Sequence, residues 1–127
     1  MTLYEAIGGE ATLRKLVDAF YNRVVLNPVI GPFFPEDIDE VKRKQYLFLT
    51  QFTGGPGLFT AEFGHPMMRA RHMRFPITPE AADNWLACMR TAMDDIGLQG
   101  PAREAFFERL TQTAHFMVNT NPNEQES

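Results

Sequence analysis

The sequence predicts an all-α fold on three observations. Apolar residues recur three and four positions apart through most of the chain, which is the spacing of one helix face. Residues that begin and end helices bracket these segments, and no alternating apolar–polar segment long enough for a strand occurs. Because the chain has 127 residues, 44% of them hydrophobic, it can bury one core. We therefore expect one domain over residues 1–120 and a flexible polar tail at 121–127.

The first two helices have clear boundaries. Thr2 and Glu5 have the spacing of a capping box, so the first helix begins in "TLYEAIG" and ends at the following pair of glycines. The second helix extends from Glu10 to Leu26 and ends before an asparagine–proline pair. Its apolar face is formed by Leu13, Val17, Phe20 and Val24.

The later helices follow from the same signals. A proline-rich bend, "GPFFPEDI", leads into a second amphipathic helix, and a loop long enough to suggest a function comes after it. Thr78 and Pro79 form an N-cap and a first-turn proline for a long helix. In chain order we predict a helix over about 38–53, a loop over 54–64, a short helix over about 66–75, a long helix to residue 96, and a last helix from 101 to about 120.

Composition excludes several classes of protein. A formal net charge of −4 and a pI of about 5.3 argue against binding to nucleic acid or to an anionic membrane surface, because both favour a basic partner. The single cysteine, Cys88, excludes an internal disulfide and a cysteine-rich zinc site. The N-terminal "MTLYEAIGGE" lacks the features of a signal peptide, and no apolar run approaches the length of a membrane span. We expect a cytoplasmic protein.

Polar tips interrupt the apolar faces of four predicted helices, at Tyr21, Gln45, His72 and Trp85. Each has an ordinary explanation, since a tyrosine at a core edge reaches water and a tryptophan at helical spacing is usually a core residue. An unpaired buried amide, however, costs about 1–3 kcal/mol. An imidazole on an apolar face likewise needs a partner for each nitrogen. The four residues suggest a shared polar centre, and the sequence alone leaves open whether they meet.

The histidines limit which metal cofactor fits. His115 falls on the polar side of the last helix, and His65 precedes a proline in a turn. Neither an HExxH motif nor a cysteine cluster is present, which argues against a structural zinc ion. A CxxCH motif is also absent, so a haem would be held without covalent attachment. Haem iron needs only one strong protein ligand, so non-covalent haem b suits this chain best.

Four stretches, "FYNRV", "FFP", "FLTQFTGGPGLFTAEFGHPMMRARHMRFPI" and "WLACMRTAMDDIG", resemble the truncated haemoglobins of group II. The resemblance extends over nearly the whole chain, from Tyr4 to Asn119. It implies a two-on-two helical sandwich around a haem, with a shortened first helix and a proximal helix of about one turn. It also implies that His72 is the proximal iron ligand.

The resemblance assigns further roles around the haem. Tyr21, Trp85 and Gln45 match residues that stabilise the bound ligand, and Val41 occupies the position where many globins carry a distal histidine. Lys44 and Arg71 match partners of the haem propionates. Phe59 stands where many relatives have a tyrosine, so one propionate hydrogen bond is missing. The remaining haem contacts implied are Phe34, Phe48, Met68 and Phe75.

Three functions remain open at this point. The leading one is reversible binding of dioxygen, and of other small diatomic ligands, by a monomer or weak homodimer. The second is an enzyme that carries out nitric oxide dioxygenation or peroxide reduction at the same haem, with electrons from an unknown reductase. The third is a haem-free helical interaction module, which would lack a Soret band.

Overall fold

A computed structural model describes residues 1–73 and 75–120. Its helices are α1 (Leu3–Ile7), α2 (Gly9–Val24), α3 (Asp39–Phe52), α4 (Leu58–Phe63), α5 (Met68–Arg71), α6 (Pro79–Asp95) and α7 (Pro101–Met117), with a 3₁₀ turn at Gly31–Phe33. Within these residues there is no strand, which confirms the all-α prediction. The proposed tail at 121–127 lies outside the described residues.

Local sequence determines how the helices begin. The Thr2 hydroxyl accepts the Glu5 backbone N–H at 3.1 Å, which is the N-cap half of a capping box, and it donates to the Glu5 carboxylate at 3.2 Å. Gly8, which follows α1, has a φ of +110°, a conformation that glycine adopts without steric cost. The Thr78 hydroxyl accepts the Ala81 backbone N–H at 3.1 Å and caps α6.

Four long helices, α2, α3, α6 and α7, form most of the packing. Helix α2 packs on α3 and on α6, and α6 packs on α7. Their apolar faces bury Leu13, Phe20, Met89 and Phe106 completely. At the surface, the Arg23 guanidinium donates two hydrogen bonds to the Asp95 carboxylate, at 2.8 and 2.9 Å, and so joins α2 to α6. Among the described residues, no helix is both long and apolar enough to span a bilayer.

Two predictions for the segment from residue 54 to residue 75 are wrong. The expected loop over 54–64 contains the helix α4, which is tied to α3 because the Gln51 side chain bonds both the hydroxyl and the backbone N–H of Thr60. The expected helix over 66–75 is only the single turn α5. His72 therefore lies at the C-terminal cap of a helical turn, not inside a helix.

Candidate functional site: a haem pocket

The His72 imidazole is half-buried and held by its own helical turn. Its Nδ1 lies 2.7 Å from the carbonyl oxygen of Met68. Since a carbonyl only accepts, Nδ1 carries the proton and donates. In the neutral ring Nε2 is then the unprotonated nitrogen, and it has no hydrogen-bond partner within residues 1–73 and 75–120. Histidines that bind metals commonly donate their other ring N–H to a carbonyl in the same way.

Tyr21 on α2 presents the other unusual polar group. Its side chain is only 2% exposed, and burial raises the pKa of its phenol above the ordinary value. No hydrogen bond to its hydroxyl is formed by the described part of the chain. No fully enclosed side-chain oxygen or nitrogen there lacks a partner, so the hydroxyl must face open space. That space is where the tyrosine can donate to a ligand.

Aromatic rings connect the two groups. The Tyr21 and Phe34 rings are 5.6 Å apart, edge to face. Phe33, the residue before Phe34, has its ring 6.0 Å from the Phe75 ring, which in turn lies 6.4 Å from the His72 imidazole. Tyr21 and His72 are thus the two ends of one aromatic path, in which the Phe33–Phe34 step is through the backbone.

Trp85 joins the same region through Phe20. The Phe20 ring lies 4.9 Å from Tyr21 and 5.1 Å from Trp85, edge to face in both cases. The half-buried indole N–H forms no hydrogen bond with any residue that the structure describes. Two predicted members of the polar centre, Tyr21 and Trp85, are thus neighbours of one ring.

Gln45 is half-buried on α3, and no hydrogen bond joins it to Tyr21 within the described ranges. The structure therefore does not join these two predicted members of the polar centre by a hydrogen bond. Among the other proposed haem contacts, Phe48 and Phe59 are buried, Phe34, Val41 and Met68 are half-buried against the core, and Phe75 is half-buried.

Two cations lie over one pair of aromatic rings. The Phe59 and Phe63 rings are 5.1 Å apart. The Lys44 ammonium lies 5.2 Å from the Phe63 ring centre, and the Arg71 guanidinium lies 5.3 Å from that of Phe59. Arg71 also donates from Nε and Nη2 to the carbonyls of three residues before α5, namely Phe63, His65 and Pro66. Its Nη1 has no partner among described residues, so it can still bind an anion.

The other histidines have structural roles. His65 accepts the Met67 backbone N–H at its Nδ1, at 3.3 Å, in the turn before α5. His115 is exposed, and it borders a groove of about 370 Å³ between α6 and α7. Both observations agree with the sequence-based interpretation.

Asn119 is a residue of this region that the sequence did not reveal. The last helix was expected to reach about residue 120, which would have placed Asn119 inside it. The helix ends at Met117 instead, and the Asn119 side chain bonds the backbone around His72. Asparagine is found after helix ends, but this signal identifies Asn119 only once the end of the last helix is known.

The residues present fit a haem. Haem requires one strong axial ligand, which the partner-free Nε2 of His72 can be. Apolar and aromatic side chains suit its faces, and Lys44 and Arg71 suit its carboxylates. Within the residues that the structure describes, no group of three or more His, Cys, Asp or Glu side chains could hold a bare metal ion.

Comparison with known proteins identifies the family. The family model for bacterial-like globins matches residues 2–119. The group 2 truncated hemoglobin YjbI of Bacillus subtilis (strain 168) is 56% identical over 124 residues, which covers 98% of this chain and 93% of the relative.

Solved structures agree. The crystal structure of the group II truncated hemoglobin from Bacillus anthracis has a TM-score of 0.94 at 56% identity, covering 95% of this chain and 93% of that one. The truncated oxygen-avid haemoglobin from Bacillus subtilis has a TM-score of 0.91 at 57% identity, covering 94% and 100%. The chain therefore belongs to the group II truncated haemoglobins, the two-on-two globins, a family whose cofactor is haem.

Proposed function

We propose that this globin binds dioxygen reversibly at a non-covalent haem b, with His72 as the proximal ligand. Bound haem would supply the iron at which a small ligand binds. The observation that carries the proposal is the Tyr21 hydroxyl, which belongs to a buried side chain, is protonated, faces open space and has no partner in the described residues. One solved relative is itself called oxygen-avid, which supports the same function.

The Tyr21 hydroxyl suits a ligand that acquires negative charge. Dioxygen takes up electron density when it binds iron, so an O–H aimed at it makes a charge-assisted hydrogen bond. Burial keeps the phenol protonated, so it remains a donor across the physiological pH range. The indole N–H of Trp85 can only donate, and Gln45 offers an amide from α3. These three groups are the proposed ligand stabilisers.

The rim of the pocket suits the haem carboxylates. Lys44 is exposed, and it forms no ion pair with the residues described. Arg71 retains the two N–H groups of Nη1, while its other nitrogens brace the chain before α5. We assign these two cations to the propionates. Phe59 adds no hydroxyl there, so the cations carry the polar recognition of that edge.

Replacing His72 with glycine tests the proposal. Because the imidazole supplies the only proposed protein bond to the iron, His72→Gly should abolish the normal ferrous spectrum, and free imidazole should partly restore it. His115→Gly is the matched control, since His115 is exposed and should leave the spectrum at its parental form. A parental ferrous spectrum in His72→Gly would disprove the assignment of the ligand.

A further inference from the structure

We propose that Asn119 is a positioning residue that fixes the orientation of the His72 imidazole from the far end of the chain. The proposal rests on the proposed function in one respect, that His72 is the iron ligand. Asn119 is half-buried just beyond α7, and it is separated from His72 by 47 positions.

The proximal turn cannot hold its own shape. Helix α5 has four residues, which is far below the length at which a helix is stable alone. Its N-cap residue is Met67, whose φ of +43° is uncommon for a residue with a side chain. His72 is the C-cap residue, so its backbone N–H still bonds the Arg69 carbonyl, whereas its own carbonyl lies beyond the turn. The direction of that carbonyl is set by contacts from outside α5.

The Asn119 amide makes those contacts with both ends of its side chain. Nδ2 donates to the carbonyl of His72 at 3.1 Å and to that of Phe75 at 3.0 Å. Oδ1 accepts the backbone N–H of Ile77 at 2.9 Å. One side chain thereby spans the segment that starts at His72 and ends where the cap of α6 begins.

The amide cannot be turned around. The Ile77 N–H is a donor only, and the Thr120 hydroxyl also donates to Oδ1, at 2.7 Å. Reversing the amide would place N–H groups against the Ile77 N–H and an oxygen against two carbonyls. The backbone adds two further bonds, because the Ile77 carbonyl accepts the N–H of both Asn119 and Thr120, at 2.9 and 3.1 Å.

These contacts leave the imidazole little freedom. Its Nδ1 is held by the Met68 carbonyl on one side, and its own carbonyl is held by Asn119 on the other. The two restraints fix the backbone and the ring together. Without the Asn119 bond, the imidazole could rotate about its remaining bond to the Met68 carbonyl. The bond from Nε2 to the haem iron would then vary in direction.

The test compares two asparagines under the same substitution. Asn119→Asp keeps the size of the side chain and the Oδ1 acceptor, but places a charged oxygen against the carbonyls of His72 and Phe75. Asn27→Asp is the control, because Asn27 is also half-buried and accepts two backbone N–H groups, those of Val29 and Ile30, in a turn after α2. The holoprotein is measured for thermal unfolding, for the iron–histidine stretching band by resonance Raman spectroscopy, and for haem transfer to an acceptor apoglobin.

We expect Asn119→Asp to shift and broaden the iron–histidine band and to speed haem transfer about tenfold, the effect of about one net hydrogen bond. Asn27→Asp should lower the unfolding temperature while leaving the band unchanged. A parental band in Asn119→Asp, or an equal shift in Asn27→Asp, would overturn the proposal. If Asn119→Asp does not fold, Thr120→Val takes its place, because it removes one hydrogen bond to Oδ1 of Asn119. This variant should shift the iron–histidine band in the same direction by a smaller amount, and an unshifted band would overturn the proposal.

The same series separates this inference from the proposed function. If His72→Gly loses normal ligation while Asn119→Asp is parental in the band, only the role of Asn119 is wrong. If His72→Gly retains the ferrous spectrum, the ligand assignment itself is wrong, and the Asn119 proposal is overturned with it.

Discussion

Replacing Tyr21 with phenylalanine should accelerate dioxygen release strongly while changing stability little. The hydroxyl forms no hydrogen bond with the described residues, so its removal breaks no contact of the fold. The aromatic ring, which packs on Phe20 and Phe34, is retained. The hydroxyl's contribution is therefore concentrated in the liganded state.

The magnitude follows from the chemistry of that hydroxyl. A hydrogen bond to a charged group contributes about 1.5–3 kcal/mol, and each 1.4 kcal/mol is about a factor of ten. Release from Tyr21→Phe should therefore be roughly 10- to 150-fold faster than from the parent. Carbon monoxide carries less negative charge on its outer atom, so its release should change much less.

Stopped-flow displacement of dioxygen measures the rate directly. Tyr46→Phe is the matched control, because Tyr46 is half-buried on α3 and its ring lies 4.4 Å from the Arg14 guanidinium carbon, away from the aromatic path to His72. It should release dioxygen at the parental rate. A parental rate in Tyr21→Phe, or an equal acceleration for carbon monoxide, would refute the reasoning from the partner-free hydroxyl.

Two further predictions concern charge and pH. Lys44→Gln should speed haem transfer by up to about fivefold at low salt, the range of an exposed ion pair worth 0–1 kcal/mol, and by less at high salt. The control Lys15→Gln changes an exposed residue on α2 and should have no effect. A change in haem transfer that does not depend on salt would place Lys44 away from the propionates. Arg71→Gln should add a salt-independent component, because that side chain also braces three carbonyls. Burial raises the pKa of the Tyr21 phenol in the folded state, so the unfolded chain loses this proton at a lower pH than the folded chain does. The contribution of this shift to the free energy of unfolding is therefore full below pH about 10, and it is lost as the pH rises beyond that value. Alkaline titration followed by phenolate absorbance should show that one of the three tyrosines resists ionisation in the parent, and that no tyrosine does so in Tyr21→Phe. Titration curves of parent and variant that differ only in amplitude would contradict this.

The parts of the fold that the sequence predicted correctly depend on nearby residues. The N-cap bonds of Thr2 to Glu5 and of Thr78 to Ala81 each join residues three positions apart, so a short-range pattern is sufficient to predict them. Helix α4 was missed because "LFTAEF" is too short for a periodicity signal. It is recognisable only through its bonds to Gln51 and its ion pair between Arg43 and Glu62.

The candidate site shows the same division. The apolar faces were enough to single out Tyr21, His72 and Trp85 as unusual, and the family resemblance supplied their roles. What no local pattern could provide is where each polar atom points. The Nδ1 bond that frees Nε2 of His72, and the Asn119 amide 47 positions away, both depend on the folded chain.

The separation of His72 and Asn119 along the chain also dictates when the pocket can form during synthesis. Ribosomes add roughly 5–20 residues per second, so the 47 positions between these residues correspond to roughly 2–10 seconds. Throughout that interval the growing chain contains the proposed iron ligand but not the amide proposed to orient it. Helices α2 and α3 can pack on each other by then, whereas the segment around His72 must wait for the residues after α7. We therefore expect haem capture in an ordered site to be among the last events in the maturation of this protein.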